Sequence, residues 1–179
     1  MEFWLSVARG IDRVSRFFGI IAAWLVLLSC LISAGNAASR YILSISSNAW
    51  LEIQWQMFAG IFLLGAAQVL KLNEHVRVDM IYGGLSPRRK LWIDVVGIIL
   101  FLFPAATMMA VMGAEFFYDA FRRGEISSNA GGLPLWPVKF LLPLGFILLI
   151  LQGVAELIRR IAGLRGVVKF DPAYQRPLQ

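Results

Sequence analysis

The chain has 179 residues, 59% of them hydrophobic and 16% charged, with a formal net charge of +6. That length allows one domain, and a mean hydropathy of +0.70 with so few charges argues against a soluble enzyme. The basic residues fall in short segments between apolar runs rather than on one face, which argues against nucleic-acid binding.

In chain order, residues 3–18 place Trp4, Val7, Ala8, Ile11, Val14 and Phe18 at helical spacing. Glu2, Arg9, Asp12, Arg13 and Arg16 fall largely opposite, which predicts an amphipathic helix over about 3–16, lying at the membrane surface beside anionic lipid. Residues 17–39 carry no charge, and about 20 apolar residues suffice to cross a bilayer. This run is longer than the apolar core of a cleaved signal, and Glu2 and Asp12 stand where such a signal is basic, so a retained first span is expected. The single cysteine, Cys30, lies within it and allows no intrachain disulfide.

A second window, 51–71, holds only Glu52 and the closing Lys71 as charges. Residues 76–85, with Val78, Met80, Ile81, Tyr82 and Leu85, form a weaker candidate for a second surface helix. Ser86-Pro87 reads as an N-cap followed by proline at the first helical position, opening a third window, 92–114, whose one charge is Asp94. Gly131, Gly132, Pro134 and Pro137 predict a turn before the fourth window, 134–155, where Lys139 is the one charge. Pro104 and the Pro143-Leu144-Gly145 run stand inside helices and predict kinks. Small residues four apart, Gly19 with Ala23 and Ala106 with Ala110 and Ala114, allow close helix approach. A polar tail covers 166–179, and the chain shows no internal repeat.

The expectation is an all-α membrane protein: one integral domain over 1–179, four transmembrane helices, and one or two interfacial amphipathic helices. Thirteen Lys and Arg residues lie in the N-terminal segment, the second connection and the C-terminal segment. The other two connections hold Arg40, Arg122 and Arg123. The positive-inside rule then puts both termini in the cytoplasm. Trp50, Trp55 and Trp136 at outer helix ends, with Trp4 and Trp92 at inner ones, read as an interfacial aromatic belt.

No constellation for chemistry emerges. Haem held by paired histidines is opposed by the single histidine, His75, which lies in a connection. Asn73, Glu74, His75 and Asp79 are the one local cluster of metal-ligand types, and a solvated connection explains them better. Serines 44, 46, 47, 127 and 128 have no histidine on their side, and Gly83-Gly84 lacks the strand and Gly-Lys-Ser/Thr of a phosphate loop. No cofactor is expected. Glu52, Asp94 and Lys139 sit near helix ends rather than at the midplane, where a coupling-ion site would be wanted. Inter-helix or inter-subunit pairing is the better reading for Glu52, Asp94, Glu115 and Lys139. Both Glu52–Lys139 and Glu115–Lys139 satisfy the spacing.

Several stretches together carry a resemblance. Asn48-Ala49-Trp50-Leu51-Glu52 opens the second helix, and Glu74-His75-Val76-Arg77-Val78-Asp79 follows it. Gly124-Glu125-Ile126-Ser127-Ser128 and Leu133-Pro134-Leu135-Trp136-Pro137 precede the fourth helix, which contains Pro143-Leu144-Gly145. In this order, over about residues 17–160, the chain resembles the small membrane subunit (DctQ type) of tripartite ATP-independent periplasmic (TRAP) transporters. The motif positions are Trp50, Glu52, His75, Asp79, Trp136, Pro143 and Gly145.

The resemblance implies a non-catalytic subunit of a sodium-driven, binding-protein-dependent importer of an organic acid in the bacterial inner membrane. Its implied partners are a large permease subunit, which holds the substrate and sodium sites, and a periplasmic substrate-binding protein. Tyr118, Phe121, Arg122, Arg123 and Glu125 combine aromatic and charged groups where the binding protein would dock. Two other classes fit the sequence less well. A self-contained four-helix transporter would carry a carboxylate deep in its first helix, which this chain lacks. A membrane-embedded enzyme or haem subunit lacks its ligands here.

Overall fold

The computed structural model describes residues 1–45, 47–72, 84–129 and 132–167. Four helices account for most of them: α1 (Glu2–Leu43), α2 (Asn48–Leu72), α3 (Pro87–Arg123) and α4 (Trp136–Leu164). Each is long and apolar enough to cross a membrane. Among the described residues there is no strand, only an isolated bridge between Ile126 and Pro134. The first three apolar windows fall inside these helices, while the fourth begins two residues before α4. The start of α1, the end of α2, the start of α3 and the end of α4 lie at one end of the bundle, called the terminus end below. The α1–α2 and α3–α4 connections form the loop end.

Local chemistry sets the boundaries. α1 stops at Ser44, whose φ of 55° is the left-handed conformation that turns a helix off. The Ser39 hydroxyl then donates to the Ile45 carbonyl at 3.1 Å. Ser47 Oγ accepts the Ala49 N–H at 3.3 Å as α2 begins. Ser86 and Pro87 open α3 as expected, but by a backbone route: the Ser86 carbonyl accepts the N–H groups of Arg89 and Lys90 at 2.9 and 3.1 Å. Pro104 is met by a π-helical turn, Ile98–Leu102, closed by Phe103 N–H on the Ile98 carbonyl. One wider turn accommodates the donor that proline lacks, and the helix continues.

α4 is the hub. It packs against α1, α2 and α3, and α1 packs on α2, whereas α3 leans on α4 without comparable contact to α1 or α2. Burial follows that order: 39% of the apolar window of α4 is inside, against 11% for α1 and α3. Ala22, Leu64, Ala67 and Leu148 form the core, flanked by Phe18, Ile21, Leu25, Leu141 and Leu144. Outside, large apolar groups stand exposed, Phe62 at 74% and Phe101 at 73%, the inside-out pattern that suits lipid or a membrane partner.

The Pro143-Leu144-Gly145 run lies where α4 meets two helices at once. A Cβ on Gly145 would stand 2.8 Å from the Leu63 carbonyl oxygen, so only glycine lets α4 come this near the α2 backbone. On the other side, a Cβ on Gly113 of α3 would stand 3.0 Å from Leu142 and 3.3 Å from Pro143.

Two sequence expectations are revised. Small residues mark the helix seams, Gly19 and Ala106 among them, a Cβ on Gly19 standing 2.8 Å from Gln68 of α2; the buried small residues, however, recur seven apart rather than four, as Ala8, Ser15, Ala22 and Ser29 along α1 and Ala106, Gly113 and Ala120 along α3. Ala23 and Ala114 are exposed. A seven-residue period keeps one face on a neighbour under left-handed supercoiling, while a row four apart drifts off it. Second, residues 3–16 are no separate element: α1 runs unbroken over 42 residues, about 63 Å at 1.5 Å per residue. Asp12 and Ser15 bond to α4, holding this stretch on the bundle. Most of the second surface-helix candidate, together with His75 and Asp79, lies outside the described residues.

Candidate functional site

The loop end is built by the α3–α4 connection. Gly124, with φ of 58°, ends α3, and the chain then doubles back. Ser127 N–H donates to the Leu133 carbonyl and Leu135 N–H to the Glu125 carbonyl, both at 2.9 Å. This small hairpin is fixed from two helices. From α2, Glu52, 1% exposed, accepts the Leu133 N–H at 3.1 Å on Oε2, while its Oε1 is buried without a partner among the described residues. From α4, the Lys139 ammonium lies 2.5 Å from Glu125 and 3.8 Å from the centroid of the Phe116 ring. Lys139 thus pairs with Glu125 rather than with Glu52 or Glu115, and Glu115 is exposed.

Aromatic rings brace the same corner. Phe117 meets Phe140 edge-on at 5.2 Å, and Phe121 meets Trp136 edge-on at 5.7 Å. One helix turn presents the rest: Tyr118, with the Arg122 guanidinium 5.5 Å from its ring, and Arg123, 3.8 Å from Asp119. The Arg123–Asp119 pair is solvent-exposed on both sides and adds next to nothing to stability. Tyr118, Phe121, Arg122 and Arg123 are exposed together, whereas Glu125 is half-buried and engaged by Lys139. The result is a braced surface that is aromatic and cationic. Trp50, at the start of α2, and Trp136, opening α4, stand half-exposed at the same end.

The terminus end holds a polar network that the sequence reading missed, apart from Asp94. Arg159 takes Asp12 with both terminal nitrogens, at 2.8 and 3.1 Å, and reaches Glu156 at 2.6 Å. Arg160 pairs with Asp94 at 3.1 Å and with Glu156 at 3.4 Å. Inside these, fully buried Gln152 accepts the Ser15 hydroxyl at 2.7 Å and donates to Asp12 at 3.2 Å. The network joins α1, α3 and α4. Its signal in the sequence was the three- and four-residue spacing of Gln152, Glu156, Arg159 and Arg160, which puts all four on one helix face. Each carboxylate has a guanidinium or amide within reach, as burial of charge requires.

With this geometry in place, a family model described as Tripartite ATP-independent periplasmic transporters, DctQ component, matches residues 29–163. The chain belongs to the DctQ family. The match takes in α2, α3 and nearly all of α4, including the braced hairpin and the Pro143-Leu144-Gly145 hub. The α1 residues of the terminus-end network, Asp12 and Ser15, precede it. Searches of curated proteins and of solved structures returned no match. Membership makes the protein a component of a TRAP transporter, its small membrane subunit, with four helices fit to span the bilayer.

Proposed function

We propose that this DctQ-family chain is the non-catalytic small subunit of a sodium-driven importer of an organic acid, scaffolding a large permease subunit in the bacterial inner membrane. Both termini lie in the cytoplasm, and the loop end faces the periplasm and helps to dock the substrate-binding protein. The observation that carries this reading is the family match across residues 29–163, which includes the braced loop-end surface. The partition of Lys and Arg, concentrated at the terminus end, supports the orientation.

Docking falls to Tyr118, Phe121, Arg122 and Arg123. Exposed arginines on a fixed support speed encounter with an acidic partner, and the aromatic rings supply contact area. Glu125 contributes by holding Lys139 and the hairpin in place. Replacing Arg122 and Arg123 together by Gln is expected to lower uptake at limiting binding protein, while the amount of assembled membrane complex is unchanged. Uptake equal to wild type under those conditions would contradict the docking role.

A further inference from the structure

We propose that the outward face of α3 around Glu115 packs against a transmembrane helix of the large permease subunit that carries a Lys or Arg at the depth of this carboxylate. Naming that subunit rests on the transport role proposed above. The need for a membrane-embedded cation beside Glu115 does not.

Glu52, Asp94 and Lys139 each find a partner within the chain: the Leu133 N–H, Arg160 and Glu125. Glu115 is exposed and, among the described residues, has no hydrogen bond or ion pair. The seam of α3 on α4 runs through Ala106, Gly113 and Ala120. Glu115, two residues past Gly113, lies about 200° round the helix from it and so faces away from α4, the one helix on which α3 leans. Its neighbours one turn away are Val111, Met112, Tyr118 and Asp119, none of them cationic.

Depth makes that position costly. Glu115 lies six residues, about 9 Å, inside Phe121, whose ring meets Trp136 at the interfacial belt. Hydrocarbon begins no more than about 7 Å inside such a belt, half the difference between a bilayer with and without its headgroup regions. Direction matters as well. Side chains lean toward the N-terminus of their helix, and α3 and α4 run in opposite senses. Lys139 therefore leans toward the loop end and its water, whereas Glu115 leans toward the bilayer middle and cannot snorkel out. A carboxylate so directed is expensive unless a cation meets it.

The surroundings choose the partner. The charged groups of a phospholipid, phosphate and amine alike, lie farther out than this carboxylate. A membrane helix with a guanidinium or ammonium brings the opposite sign at the required depth. Toward the bilayer middle, Val111, Met112 and Met108 stand 56, 54 and 62% exposed on the same stripe. Methionine adapts its shape to a facing helix. The stripe is open to such a helix because α1 and α2 make no comparable contact with α3.

The test uses the complex as it assembles in membranes, captured through a tag on the small subunit. The large subunit is measured per molecule of small subunit recovered, so a change in the amount of the small subunit does not enter. Glu115→Lys is expected to lower that ratio several-fold. Glu115→Gln, which removes the charge but keeps the size, is expected to lower it less. With a photoreactive benzophenone amino acid at Met112, irradiation is expected to join the small subunit to the large one, and Glu115→Lys to remove most of that product. A ratio unchanged in both variants would overturn the proposal, as would cross-links from Met112 to lipid alone or to a second copy of this chain. A wild-type chain that recovers no large subunit would instead remove the transport role itself, and the named partner with it.

Discussion

Glu52 illustrates how one side chain organises a surface it does not belong to. It is anchored in α2, yet its carboxylate holds the backbone of the α3–α4 hairpin through Leu133. Glu52→Ala leaves that N–H without its acceptor, so a loss of about 1–3 kcal/mol is expected, read as a lower thermal midpoint in detergent. Glu52→Gln keeps a carbonyl acceptor of the same shape and is expected to retain most of that stability. Equal losses for the two variants would show that charge, not the hydrogen bond, is what the site needs. Glu52 was legible as a polar contact because it stood alone in an apolar window. Its partner was not, since no pattern in side chains announces which backbone N–H a folded loop will offer. Lys139 misled for the same reason: the sequence offered Glu52 and Glu115 as partners, and only the turn geometry brought Glu125 to it. Gln152 escaped notice because a neutral polar group does not interrupt an apolar window as a charge does, and Ser15 because it stood among the charges of residues 3–16.

Among the elements, the seams carry the sharper lesson. The spans were readable because Asp, Glu, Lys and Arg are nearly absent from four stretches of the right length, a consequence of the cost of placing charge in hydrocarbon. The faces were not, because alanine, serine and glycine are frequent enough in this chain to fit several periods. The structure selects seven, and the choice can be tested with neighbouring positions. Ala22→Leu forces three extra heavy atoms into the core beside Leu64 and Leu148 and is expected to cost about 1–3 kcal/mol. Ala23→Leu, on the exposed side, is expected to change the thermal midpoint little. The reverse ranking would restore the four-residue period. The π-helical turn before Pro104 was beyond prediction in kind: proline in a helix announces a disturbance, but whether a kink or a widened turn absorbs it depends on what packs alongside. Here the neighbour is α4, where Gly153 leaves room for Leu102 and Phe103.

For the whole molecule, charge decides sidedness, and the orientation can be measured directly. On a Cys30→Ser background, Ser128→Cys at the loop end is expected to react with a membrane-impermeant maleimide that reaches the periplasm. Ser6→Cys is expected to react only after the inner membrane is opened. The opposite pattern would invert the molecule and remove the docking role with it. The layout of the helices adds a mechanical consequence. The hairpin between α3 and α4 is grasped by Glu52 from α2 and by Lys139 from α4, while α3 touches little besides α4. A pull applied at Arg122 or Arg123 therefore does not stop in α3. It is shared through the hairpin as through a yoke, reaching α2 by one hydrogen bond and α4 by one ion pair, and at the far end of α4 it meets the anchorage of Arg159 on Asp12.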